Sequence, residues 1–207
     1  MNLAHELAAG ITALGVGVSA RAQQRMLDYL ALIEKWNKAY NLTAVREPAK
    51  MLTYHLLDSL SVLPYVRGAR VLDVGTGAGL PGIPLALARP DWQITLLDAS
   101  HKKATFLRQA AIELQLDNVD VVCERVEAWS PDGKFNTVIS RAFSDLAEFL
   151  KLTGRLCESS GIVIAMKGVY PHEELAQVPE TFFLQDVVAL QVPGLDAERH
   201  AALLQPA

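Results

Sequence analysis

The sequence predicts an α/β fold: a mostly parallel sheet with helices on both faces and an antiparallel edge strand, preceded by an N-terminal helical segment. Three observations carry this reading. Up to residue 66 the apolar residues recur at helical spacing. From Arg70 onward, short apolar or β-branched runs alternate with helical or turn-rich stretches, as in sheets buried on both faces. A glycine-rich junction over 75–82 joins the first of those runs to a helix.

Leu3, Leu7, Ile11 and Leu14 form the first helical stripe, and Gly15 and Gly17 end it. Ser19 is placed to cap a second helix whose apolar face is Met26, Leu30, Ile33, Trp36 and Tyr40. Glu47-Pro48 opens a third, with Leu52, Leu56, Leu60 and Leu63 on one side and Pro64 at its end. The strands expected are 71–74, 94–97, 119–122, 137–139 and 162–165. Two more, 182–190 and 201–204, flank Pro193-Gly194 and are expected to pair antiparallel at the sheet edge.

At 207 residues the chain can bury one α/β core with a small appendage, and 51% hydrophobic with 20% charged residues excludes a disordered chain. The longest apolar stretch, 80–88, contains two prolines and is too short to span a bilayer. The N-terminus lacks the basic and apolar regions of a secretory signal. Cys123 and Cys157 are too few for a disulfide framework and have no metal-ligand spacing, so no metal is expected and a cytoplasmic location is. The net charge of −4 means that any grip on nucleic acid must come from a local basic surface.

The segment Asp73-Val74-Gly75-Thr76-Gly77-Ala78-Gly79-Leu80-Pro81-Gly82 follows the first strand. Glycines permit a tight turn there and let a ligand touch the backbone. Asp98, after the second strand, is positioned to accept hydrogen bonds from ribose hydroxyls. Two ligands compete. Residues 77–82 match the dinucleotide fingerprint, which suits an NAD-dependent oxidoreductase. However, Asp73 precedes the first glycine, and this D-x-G-x-G-x-G order is similar to that of Rossmann-like class I methyltransferases. S-adenosylmethionine has a cationic amine, so a carboxylate beside the loop favours it. Val126-Glu127, after the third strand, stands where such folds contact adenine, or else Glu127 is a helix N-terminal residue.

Further motifs stand in a fixed order: Trp36 to Thr43, His55-Leu56-Leu57-Asp58-Ser59-Leu60, Ser140-Arg141-Ala142-Phe143, Met166-Lys167-Gly168 and Glu198-Arg199-His200. Together with the loop they make the chain closely resemble, over nearly its whole length, the bacterial RsmG family, also called glucose-inhibited division protein B. That family methylates N7 of one guanosine, nucleotide 527, in 16S ribosomal RNA. The resemblance implies cofactor contacts at Gly75, Leu80, Val126-Glu127 and Arg141, with Asp98 on the ribose and Gly77 and Gly79 completing the loop. It implies S-adenosylmethionine as cofactor and the small ribosomal subunit as partner, with no membrane and no obligate protein partner evident. The implied division is a helical segment, 1–66, packed on a methyltransferase domain, 67–207. The chain departs from the family at 201–207, which is less apolar than usual and carries no basic tail, weakening the expected last edge strand.

Arg141, at the end of the fourth strand, suits a methionine carboxylate or a phosphate. Lys167, Arg199 and His200 are the other candidates to meet RNA, and Lys102-Lys103 with Arg108 form a second basic strip. His55 and Asp58, three apart on one helical face, are expected to pair with each other and stay buried. Trp36, Tyr40 and Phe143 are read as core. Guanine N7 has no proton to lose, so no catalytic base is assigned. The chain lacks the Asn/Asp-Pro-Pro-aromatic motif of exocyclic-amine enzymes, and neither Cys123 nor Cys157, the latter in an expected helix, is placed as a pyrimidine-C5 nucleophile. A small-molecule methyltransferase and a non-catalytic RNA-binding module remain as alternatives.

Overall fold

A computed structural model describes residues 2–141, 143 and 145–207; Ala142 of the Ser140-Arg141-Ala142-Phe143 motif lies outside the described residues. Helix α1 (Leu3–Leu14) starts where the Asn2 side chain accepts from the His5 amide, and Gly15 ends it at φ 67. Helix α2 (Ala20–Tyr40) is capped by Ser19, whose hydroxyl accepts from Ala22 N–H. Both helices follow the apolar spacing of the sequence.

The third helical stretch is less regular than its spacing predicts. It begins as α3 (Pro48–Met51), widens into a π-helical segment over Leu52–Leu57, and resumes as α4 (Asp58–Ser61). A π-helical turn inserts a residue into the α repeat, so the faces on either side are rotated relative to one another. As a result Leu52, Leu56 and Leu60 are buried as expected, and so are Leu57, His55 and Asp58.

Among the described residues, seven strands make one sheet: β1 (Arg70–Val74), β2 (Gln93–Leu97), β3 (Val119–Val122), β4 (Phe135–Ser140), β5 (Cys157–Lys167), β6 (Phe182–Ala189) and β7 (His200–Pro206). The order is β3-β2-β1-β4-β5-β7-β6. Strands β1 to β5 pair in parallel, and β7 runs antiparallel to both β5 and β6. The strand order reverses between β1 and β4, which opens a crevice at their carboxyl ends. Helices α5 (Gly82–Ala88), α6 (His101–Glu113), α7 (Leu146–Thr153) and the short α8 (His172–Leu175) connect the strands.

Two expectations are corrected here. The C-terminal run, read as a weak edge strand, lies inside the sheet with Ala201, Ala202 and Leu204 fully buried. Its alanines fit because covered faces leave room for small side chains. The edge is β6, which exposes Phe183 and Leu184. Cys157, read as helical, is the first residue of β5.

Alternate residues of each strand feed two apolar layers. Val71, Ile94, Leu96, Ile139, Ile164 and Leu203 face the layer that also contains Leu7, Met26, Ile33, Leu56 and Leu60. Leu72, Val138, Val163 and Leu204 face the other layer, with Phe149 and Leu150 of α7. The N-terminal helices therefore bury their stripes in the same core as one side of the sheet. Each fully buried leucine contributes about 2 kcal/mol there.

Candidate active site

The glycine loop is tied to the ends of three strands. Gly75 N–H and Thr76 N–H both donate to the Leu97 carbonyl at the end of β2, at 2.8 and 3.2 Å. Ser140 of β4 donates its hydroxyl to the Val74 carbonyl at 2.7 Å, closing the reversal point. Gly75, Gly77 and Gly79 take φ of 66, 63 and 95, in the left-handed region that excludes most side chains. Gly82 is needed for a different reason: a Cβ there would lie 2.2 Å from Leu96 Cδ2 and 2.8 Å from Asp73 Oδ2.

Asp73 anchors the loop from within the core. Its side chain is fully buried, and Oδ2 accepts from Thr76 Oγ1 at 2.6 Å and Gly82 N–H at 2.8 Å. It fastens the loop to α5, and its Oδ1 is buried without a hydrogen-bond partner among the described residues. Burial pushes its carboxyl up to about 6, against the pull of those two hydrogen bonds. Tyr29 of α2, also fully buried, donates its hydroxyl to the Ala78 carbonyl and braces the loop from behind. The helical stripe does not single out Tyr29; the available signal is that a phenol must find a partner when buried.

Asp98 holds the front of the loop. Its Oδ2 accepts from Gly77 N–H and its Oδ1 from Ser100 N–H, both at 2.9 Å, and Lys103 Nζ stands 3.6 Å from Oδ2. A carboxylate has about four lone-pair positions, so some capacity is left for hydroxyls. Asp98 lines a cavity of about 270 Å³ together with Gly75, Val126, Glu127 and Phe143. Val126 is buried and Glu127 exposed, in a single turn after β3 rather than at the start of a helix. Phe143 is partly buried and stacks on Phe149 at 5.0 Å, so it belongs to the core and the cavity wall at once.

A second cavity, about 220 Å³, continues along the loop past Gly75, Gly77 and Leu80 to Lys103 and Arg141, closed on its outer side by Leu42 and Thr43. Gly79 lines neither; its missing Cβ makes room for Ile83 of α5, 2.6 Å away. Arg141 also lines a third cavity of about 330 Å³, with Tyr54, His55, Asp58, Lys167 and Arg199. A larger groove of about 720 Å³ between α7 and β6 includes none of these residues.

The third cavity is organised by Asp58, which is 1% exposed. Arg141 Nη1 donates to Asp58 Oδ2 at 2.8 Å and to the Tyr54 carbonyl at 3.0 Å. Arg199 Nε donates to Asp58 Oδ1 at 3.0 Å. The expected His55–Asp58 pairing is thus replaced: the carboxylate takes two guanidiniums, and His55 turns to Thr43. The Thr43 hydroxyl accepts from Val45 N–H at 3.2 Å and shares a hydrogen bond with His55 Nε2, 3.0 Å away. His55 Nδ1 is buried without a hydrogen-bond partner among the described residues. Burial, then the Arg141 charge, pull His55 down to about 4, so the ring is neutral near pH 7. Thr43 is itself held by Asn37, whose amide bonds both its N–H and its carbonyl.

The other basic candidates differ in availability. Lys167 Nζ is nearly buried and donates to Glu174 Oε2 at 2.6 Å and to the Phe143 carbonyl at 3.1 Å. Arg199 keeps 22% of its side chain exposed. His200 is half-buried, with Nδ1 unpartnered and its ring edge-on to Tyr170 at 5.6 Å. Of the second strip, Lys102 and Arg108 are exposed, whereas Lys103 leans to Asp98. Cys157 is buried, which drives its thiol up to about 12, and Cys123 contacts His101 Nδ1 at 3.4 Å; neither lines these cavities.

Comparison with known proteins bears on this arrangement. In fold, the chain is similar to an S-adenosylmethionine-dependent methyltransferase from Aquifex aeolicus (TM-score 0.61, 19% identity, covering 84% of this chain and 97% of that one). It is also similar to a mutant of MtNAS solved with S-adenosylmethionine (TM-score 0.57, 18% identity, 91% and 78%). In sequence, it is 57% identical over 214 residues to the ribosomal RNA small subunit methyltransferase G of Nitrosospira multiformis, covering 100% of this chain and 99% of the relative. The enzyme of the same name from Laribacter hongkongensis is 58% identical over 204 residues, covering 99% of each. The family model for GidB, rRNA small subunit methyltransferase G, matches residues 22–202, and the chain belongs to that family.

Proposed function

We propose that this protein transfers a methyl group from S-adenosylmethionine to N7 of a guanosine, nucleotide 527, in 16S ribosomal RNA. The observation that carries this reading is that Arg141 lines both the loop cavity and the Asp58 cavity. The two spaces meet at one side chain, as a cofactor site and an acceptor site must. The loop cavities suit the cofactor: Asp98 would accept from the ribose, Val126-Glu127 would border the adenine, Gly75, Gly77 and Leu80 would offer backbone, and Arg141 would hold the carboxylate. Gly79 acts from behind by packing the loop. When bound, S-adenosylmethionine supplies an electrophilic methyl on its sulfonium sulfur.

The protein's part is alignment of the two partners rather than proton transfer. The ionisable groups of the third cavity are committed: Asp58 to two arginines, Lys167 to Glu174, and His55 neutral with a pKa near 4. None is poised as a general base, and an N7 nucleophile needs none. Residues 1–66 act in this scheme as one unit with 67–207, because Leu42, Thr43, Tyr54 and Asp58 wall the site.

The experiment is single-turnover methyl transfer to small subunits with saturating cofactor. The rate is expected to be flat with pH wherever the protein stays folded, and the product base to be labile to reduction and aniline cleavage. A product resistant to that cleavage, or a steep fall in rate on the acid side that is abolished by replacing His55, would overturn the N7 assignment.

A further inference from the structure

The loop after β5 carries an aromatic side chain two residues beyond the lining of the Asp58 cavity. Lys167 and Gly168 line that cavity, and Val169 and Tyr170, the next two residues, are 70% and 38% exposed. Tyr170 is not a loose surface residue. Its ring lies against His172 at 4.3 Å and meets the edge of the His200 ring at 5.6 Å. Arg199, the neighbour of His200, approaches the same loop, since a Cβ on Gly168 would lie 4.0 Å from Arg199 Nη1. The Arg199 guanidinium is aimed by Nε to Asp58 and by Nη1 to the Glu198 carbonyl.

On the reading that the substrate is RNA, we infer that Tyr170 is a stacking platform for an unpaired base beside the target nucleotide, with the Asp58-held Arg199 binding the adjoining phosphate. Single-stranded RNA is recognised by aromatic faces that take splayed bases and by guanidiniums that take phosphate. A half-exposed ring braced by two imidazoles loses little freedom on stacking. Charge favours the same occupant: Asp58 cancels one of the two guanidiniums, Glu174 cancels Lys167, and one positive charge is left over at the cavity. Glu173 of α8 and Glu198 on the loop before β7 are exposed, which restricts the phosphate to the arginine side. Asp58 is a positioning residue here, acting through the arginines.

The test is steady-state methylation of small subunits by the full chain, with cofactor affinity followed separately by calorimetry. Tyr170→Leu keeps apolar bulk against the histidines but loses the aromatic face. It should raise KM for the subunit on the order of ten-fold, with unchanged cofactor affinity, unchanged kcat and an unchanged salt slope. Tyr170→Phe and Tyr170→Trp should restore KM. Arg199→Gln should raise KM and reduce the salt slope by about one unit, because one fewer counterion is released. If Tyr170→Leu matches the unaltered protein, or Phe fails to restore what Leu loses, the platform is wrong while the RNA reading stands. If the unaltered protein transfers no methyl to small subunits, the RNA reading falls and the platform with it.

Discussion

Arg199 Nε donates to Asp58 Oδ1 at 3.0 Å across 141 positions of sequence, and Arg141 occupies the other oxygen of the same carboxylate. One buried anion thereby joins the N-terminal helices, the end of β4 and the approach to β7. Removing it leaves two guanidiniums facing each other without a counter-charge. Asp58→Ala should lower stability by about 3 kcal/mol, and Asp58→Asn by less because its amide oxygen still accepts. Urea unfolding measures this; a loss under about 1 kcal/mol would mean the arginines find other partners.

Two glycines of the loop should fail in different ways. At Gly77 a Cβ would meet only the Gly75 carbonyl at 3.9 Å, so the space is open and only the φ of 63 is unfavourable. Gly77→Val should therefore fold, at a cost of about 1 to 2 kcal/mol, yet block backbone approach and abolish S-adenosylmethionine binding by calorimetry. Gly82→Ala should instead compromise folding, because its Cβ collides with Leu96 and Asp73. A Gly77 variant of undiminished affinity would remove the loop from the cofactor site.

Asp73 and His55 should oppose each other in mild acid. Asp73 has a folded value of about 6 against an ordinary 3.8, so its contribution is full below 3.8 and lost as pH rises to 6. His55 has a folded value of about 4 against 6.5, so its contribution is full above 6.5 and lost as pH falls to 4. Relative to the unaltered protein, Asp73→Asn should gain stability as pH rises from 4 to 6, and His55→Gln should lose it. Urea midpoints at pH 4.5, 5 and 6 give the two signs; like signs would refute the assignments.

The cysteines should separate by accessibility. Cys157, buried and with its thiol raised to about 12, should resist a thiol reagent in the native protein, whereas Cys123 should react. Replacing both with Ser should preserve turnover and lower stability by about 1 to 3 kcal/mol, mostly from the new buried hydroxyl at 157. A folded double variant without activity would reopen covalent catalysis.

The succession of strands, the loop and its acidic neighbours were legible in the sequence because they depend on local chemistry. A 2-residue or 3.6-residue period declares a strand or helix, and positive φ at Gly75, Gly77 and Gly79 is a property of glycine itself. Family membership was legible because its motifs run the length of the chain. Partnership was not legible. Spacing placed His55 and Asp58 on one face, but the π-helical segment and two arginines from 83 and 141 residues away decided what each would touch. Likewise, spacing gave no sign that Asp73 would accept from Gly82 at the start of α5 or that Lys167 would pair with Glu174. The alanines of β7 read as a weak edge because their sequence shows size but not neighbours. A chain specifies its own backbone preferences locally, whereas the partner of a buried charge is chosen by whatever the completed fold brings within hydrogen-bond distance.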